Sequence, residues 1–77
     1  MRAFVLITTE IGAMEQVLQD LKMIDGVIET YLLYGVYDII AIVKADNMRQ
    51  IKEVISWKIR RINHILTSQT LIAMDEH

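Results

Sequence analysis

Two short segments of this 77-residue chain are apolar at every position, Ala3 to Ile7 and Ile39 to Val43. A strand sends alternate side chains to opposite faces, so a strand that is apolar in both sets must be covered on both sides. Both segments are too short for an ordinary helix and rich in residues that strands favour. They are therefore expected at the centre of a sheet, with more polar strands outside them.

The remaining segments supply those neighbours. From Ala13 to Met23 the period changes: Met14, Val17, Leu18 and Leu21 line one side, while Glu15, Gln16, Gln19, Asp20 and Lys22 line the other. This predicts an amphipathic helix, ended by Asp25-Gly26, where glycine tolerates left-handed backbone. Val27 to Tyr34 alternates as a half-polar edge strand. Gly35-Val36 then separates it from a strand over Tyr37 to Lys44, an antiparallel hairpin with Gly35 marking the tight turn. Asp46 or Asn47 caps a second helix, Asn47 and Gln50 standing at capping-box spacing. Met48, Ile51, Val54, Ile55, Ile59 and Ile62 share its inner face. Asn63-His64 turns the chain, with a positive His64 suited to the helix carboxyl end. Ile65 to Met74 forms the last strand, interrupted by the polar run Thr67 to Thr70, and Asp75 to His77 reads as a frayed tail.

Strand, helix, strand, strand, helix, strand is one unit used twice. Right-handed crossovers leave a gap beside each parallel pair, and interleaving the two units fills it. The expected fold is α+β, a ferredoxin-like βαββαβ arrangement whose antiparallel four-stranded sheet has order 4-1-3-2, with two helices on one face. A single domain over residues 1–77 is expected. The second sheet face is then bare, although both alternating sets of the central strands are apolar, and such a face needs a cover. A chain this short buries only about 60–65% of its unfolded surface, and with no cysteine it has neither disulfides nor thiolate metal sites. A second copy packed sheet to sheet as a two-fold homodimer is the simplest cover. Trp57 and Met23 lie off the helical stripes, either as scattered exposed residues or as a further interface.

Other classes are excluded in turn. A formal net charge of −2 argues against direct nucleic-acid binding through the phosphate backbone, and Lys58, Arg60 and Arg61 read as a solvated helix terminus. No apolar run approaches the roughly 20 residues that span a bilayer, and the amino terminus lacks a signal-peptide pattern, so a cytoplasmic chain without membrane contact is expected. No Ser/His/Asp or Cys/His set is visible, and His64 has no second ligand at metal spacing. No catalytic residue, metal or cofactor is assigned. Asp38 is the charge that needs an account, because burying it unpaired would cost several kcal/mol on an order-of-magnitude estimate, about the worth of a buried ion pair's loss.

The stretch Val27-Ile28-Glu29-Thr30-Tyr31, then Tyr34-Gly35-Val36-Tyr37-Asp38-Ile39-Ile40, with the Thr-rich final strand, resembles the effector-binding (RAM) domain of the leucine-responsive Lrp/AsnC family of transcription regulators. The resemblance covers nearly the whole chain, and Gly35 to Asp38 followed by an apolar strand is its most specific part. It implies a module linked to transcription regulation that dimerises through its sheets, assembles into ring-like oligomers of dimers and binds amino acids between dimers. Full-length regulators of that family carry an amino-terminal helix-turn-helix domain, whereas this sequence begins at the first strand. The resemblance is therefore to the stand-alone form without a DNA-binding domain, acting by mixed assembly with a DNA-binding relative.

On that resemblance Asp38 accepts a charge-assisted hydrogen bond from the effector's ammonium. Backbone N–H groups near Gly35 and the hydroxyls of Thr67 and Ser68 donate to its carboxylate, and Tyr34 and Tyr37 wall the side-chain end. An ordinary hairpin with a solvated Asp38 stands beside this reading. So do an ACT-type module centred on Gly12, a dimeric monooxygenase or isomerase drawing on Asp38, His64 and the tyrosines, and a pure assembly module.

Overall fold

The computed structural model describes residues 1–74, so the frayed tail expected at Asp75 to His77 lies outside the described residues. Along the chain run β1 (Arg2–Thr9), α1 (Met14–Lys22), β2 (Val27–Leu32), β3 (Ile39–Lys44), α2 (Met48–Glu53) and β4 (Ile65–Ala73). The strands form one antiparallel sheet in the order β2-β3-β1-β4, which is 4-1-3-2 read from the other edge. The two strands that carry the uninterrupted apolar runs hold the centre, as their double-sided patterning requires. Among the described residues, no helix is long and apolar enough to cross a membrane.

Both helical segments cover the same sheet face. Ala3, Val5 and Ile7 of β1 and Ile39, Ala41 and Val43 of β3 are sealed beneath Val17 and Leu21 of α1 and Ile51, Val54, Ile55 and Ile59 of the second helical segment. The alternate set points the other way: Phe4, Leu6, Ile40 and Ile42 are only half-buried. Register places Phe4 between Ile42 and Leu71, and Leu6 between Ile40 and Gln69, while Tyr31 flanks Ile40. The open face is thus apolar at its middle, and Leu71 and Tyr31 remain 48% and 52% exposed. Tyr31 donates a 2.6 Å hydrogen bond to Glu29, and that bond together with the carboxylate charge raises its phenol pKa above the ordinary value.

The exit from α1 depends on Gly26, whose φ is +104° and whose carbonyl accepts from Lys44 N at 2.9 Å. A methyl group there would lie 3.1 Å from Val54 Cγ2. Strain in this backbone region costs about 1–3 kcal/mol for a residue with a side chain. Gly26→Ala is therefore expected to lower the urea midpoint without changing the slope, and an unchanged midpoint would show the turn to be slacker than described.

At the second helix Asn47 Oδ1 accepts from Gln50 N at 2.9 Å, while Gln50 Oε1 reaches Asp46 N at 2.9 Å, one residue before the cap. The helix expected to continue to Ile62 does not stay α-helical. It widens into a π-helical turn at Val54–Lys58 and tightens into a 3₁₀ turn at Ile59–Arg61. Ile51, Ile55 and Ile59 are all buried at spacings of four, and an α-helix drifts about 40° per four-residue step. A wider turn takes back that drift and returns Ile59 to the core, leaving Trp57 60% exposed.

The expected two-residue hairpin is also revised. β2 ends at Leu32 and β3 begins at Ile39, so residues 33–38 form a six-residue loop. Its ends are joined by Leu33 N donating to Asp38 O at 2.8 Å, whereas Asp38 N turns to Ile7 O of β1 at 2.9 Å. Alternation through Tyr34 is equally compatible with an extended loop once the neighbouring strand takes over the pairing.

Candidate functional site

The loop at 33–38, the end of β1 and the start of β4 meet at one end of the sheet. The β1–β4 register shifts between Thr8 and Thr9, and there the Asp38 side chain enters the backbone pattern. Its Oδ2 accepts from Thr9 N at 2.8 Å and from the Thr9 hydroxyl at 3.4 Å. Thr9 is only 8% exposed, so its amide needs a protein acceptor. Half-buried Asp38 supplies it, and this is the physical account of the carboxylate that the sequence left open: paired through Oδ2 with Thr9, it closes off β1.

Two further polar links surround that point. Thr8 and Thr67 share a hydroxyl-to-hydroxyl bond of 2.6 Å, and Thr67 N donates to Thr8 Oγ1 at 3.1 Å. Tyr37 reaches from the loop to β4, its hydroxyl donating to Gln69 Oε1 at 2.5 Å. Beside them Glu10 Oε2 meets His64 Nδ1 at 2.5 Å, and Glu10 N donates to His64 O at 2.9 Å. His64, with φ of +73°, is thus tied to the β1–α1 loop instead of serving the helix carboxyl end.

Of the residues named from sequence, Tyr37, Asp38 and Thr67 converge on the Thr8-Thr9 end of β1. Tyr34 and Gly35 sit farther out at the loop tip, Tyr34 fully exposed. Gly35 has neither a left-handed φ nor any neighbour within 4 Å of an added methyl, so the turn itself does not demand glycine there. Ser68 pairs with Ile7 while Thr67 pairs with Thr8, and successive strand residues face opposite ways. Ser68 therefore belongs to the helix-side face and Thr67 to the open face. Gly12 has φ of +82° and open space around it, which gives it a turn role in the β1–α1 loop.

Thr8, Thr9, Gln69 and Glu10 are members of this cluster that were not named from sequence as site residues. Their signal was the polar break after each apolar run, but only register shows which of them meet. Clefts among the described residues lie away from this cluster. One of about 400 Å³ is at the far end of β3, bounded by Gly26, Lys44, Asp46, Gln50, Val54 and Lys58 among others. The polar cluster is an open floor, not an enclosed pocket.

The chain is thus a ferredoxin-like sheet with an open apolar face and polar groups gathered at one end of its central strands. The model of the Lrp/AsnC ligand-binding domain matches residues 2–77. The chain belongs to that family, as an effector-binding regulatory module. Among solved structures it is similar to FFRP-DM1, at 34% identity and TM-score 0.89, covering 95% of this chain and 97% of that one. It is also similar to the hypothetical protein PHS023 from Pyrococcus horikoshii, at 36% identity and TM-score 0.89, covering 99% and 92%. E. coli AsnC aligns at 26% identity and TM-score 0.89 over 97% of this chain and 51% of its own length, so the chain spans about half of that regulator. No curated protein matches the chain.

Proposed function

We propose that the chain is a non-enzymatic cytoplasmic sensor that binds a free amino acid or similar zwitterion at the Asp38 end of the sheet, where a second subunit closes over the open floor. The observation that carries this reading is the position of Asp38. Oδ2 is engaged with Thr9, which fixes the carboxylate and leaves Oδ1 to meet an ammonium group. Tyr37, held by Gln69, and exposed Tyr34 supply walls, and Thr67 with loop backbone N–H groups supplies donors for a carboxylate. The open apolar sheet face supports pairing of two copies, and the same face would accept a DNA-binding relative of the same fold, giving the module its route to transcription.

Asp38 has two roles that one experiment separates. Asp38→Ala strands the Thr9 amide and is expected to cost about 1–3 kcal/mol in stability. Asp38→Asn keeps an acceptor for that amide but removes the charge. Thermal unfolding of the parent against a panel of free amino acids should show a rise of about 10–20 °C with the right effector at 100 times its Kd. The rise should vanish in Asp38→Asn while its ligand-free midpoint stays near that of the parent. No shift with any amino acid would sink the sensor reading and leave an assembly module.

A further inference from the structure

His64 stands where a chain more often places glycine or asparagine. It follows the 3₁₀ turn at Ile59–Arg61 and adopts a φ of +73°, in the left-handed region. Glycine is favoured at such exits because it has no Cβ to crowd the neighbouring carbonyl. The other two left-handed positions among the described residues are indeed glycines, Gly12 and Gly26. A residue with a side chain holds this conformation at a cost, and such costs gather where the geometry is used.

The imidazole of His64 meets Glu10, Nδ1 lying 2.5 Å from Oε2. A carboxylate only accepts, so Nδ1 carries the hydrogen. With Glu10 N donating to His64 O at 2.9 Å, the two residues are tied twice, through backbone and through side chains, across 54 positions of sequence. Both side chains are about half-exposed, at 50% and 51%, so solvent screens the contact and it adds little to the stability of the fold. Its effect lies in its place. The double tie sits just past the register shift between Thr8 and Thr9, where β1 and β4 leave regular pairing. A ladder is disrupted at a bulge, and a strand end beyond it frays unless it is held.

We propose that His64 is a positioning residue. Through Glu10 it holds the end of β1, so that the Thr9 amide stays aimed at Asp38 Oδ2, 2.8 Å away, and the carboxylate stays fixed for a ligand's ammonium. The ligand's part in this rests on the amino-acid sensor reading; the hold on Thr9 stands apart from it. Two substitutions separate the ring from the backbone. Glycine and asparagine both accept left-handed φ, but asparagine places its amide nitrogen where Nδ1 stands and can still donate to Glu10. Glycine cannot.

The test reads amide hydrogen exchange at Thr9 in the ligand-free full chain. In His64→Gly, and equally in Glu10→Ala, this amide should exchange about fivefold faster than in the parent, as one lost hydrogen bond implies, while amides at the middle of β1 and β3 keep the parent's rates. His64→Asn should restore slow exchange, and combining His64→Gly with Glu10→Ala should add nothing further. Binding is read by thermal unfolding with the free amino acid that raises the parent's midpoint most, at about 100 times the parent's Kd. An affinity about fivefold weaker cuts that rise by about a third, in His64→Gly and Glu10→Ala but not in His64→Asn. The proposal is overturned if Thr9 exchanges no faster in His64→Gly, if every amide speeds up together as for a merely structural contact, or if His64→Asn is as loose as His64→Gly. It is also overturned if Thr9 loosens while the rise stays whole. A parent that responds to no amino acid sinks the sensor reading alone, because exchange at Thr9 still decides whether His64 holds β1.

Discussion

A Leu71→Glu chain is expected to run as a monomer, at half the molar mass of the proposed sheet-to-sheet dimer, while keeping the same fold. Leu71 stands across from Phe4 on the open sheet face and is 48% exposed in the single chain, so a carboxylate there stays in water and costs the isolated fold little. In a sheet-to-sheet dimer it would be buried twice, once from each copy. An unpaired charge in such a place costs several kcal/mol, on the order of 3–5 for a broken buried pair. Two of them rival the roughly 8–12 kcal/mol that separates micromolar and nanomolar dimers from free subunits. Sedimentation gives the mass and circular dichroism the fold. A variant that remains dimeric would mean that something other than a second sheet covers this face.

The largest loss of stability is expected from Ile7→Ala. Ile7 is fully enclosed, lies on a central strand opposite Ile39, and lends its carbonyl to the Asp38 amide. Truncating a buried isoleucine to alanine costs about 2–5 kcal/mol. A chain of 77 residues has only about 4–11 kcal/mol of stability to lose at the usual yield per residue. The urea midpoint should therefore fall by about a fifth or more with little change in slope. Met23→Ala, at an exposed position, should barely move it. Because the Ile7 carbonyl holds the Asp38 amide, the proposed effector binding should weaken in the same variant at temperatures where it remains folded. A midpoint within error of the parent would contradict the packing described for β1.

The contrast between these positions shows what could be read from the chain. The strand order was legible because Ala3 to Ile7 and Ile39 to Val43 are apolar in both alternating sets, and only a central strand satisfies that pattern. The Asn47 cap was legible because a cap is local. The loop at 33–38 was not, since alternation through Tyr34 suits either a strand or an extended loop, and the decision lies with Asp38 N choosing β1 over β2. The wide turn at Val54–Lys58 was hidden as well, because a four-residue repeat of isoleucines is read as an α-helix until the core fixes the angle each must reach. At the candidate site the sequence named Tyr34, Gly35, Tyr37, Asp38, Thr67 and Ser68, of which only Tyr37, Asp38 and Thr67 come together at the end of β1. Their partners Thr9, Thr8 and Gln69 are distant in the chain and become neighbours only through strand register. Register also separates Thr67 from Ser68, which composition treated as equivalent.

The wide helical turn has a consequence for how this surface can change over evolutionary time. Such a turn carries more residues than an α-helical one, so the segment between Glu53 and Ile59 has length to spare. Removing one residue there would tighten the turn toward an α-helix and leave the residues on either side in nearly their present relation, because a wide turn absorbs one extra residue. Trp57, which lies within the turn, would then be re-aimed while Ile51 before it and Ile59 after it kept the core. A lineage could thus re-aim the outer side of this helix by a single codon gained or lost, without first exchanging the residues that flank the turn.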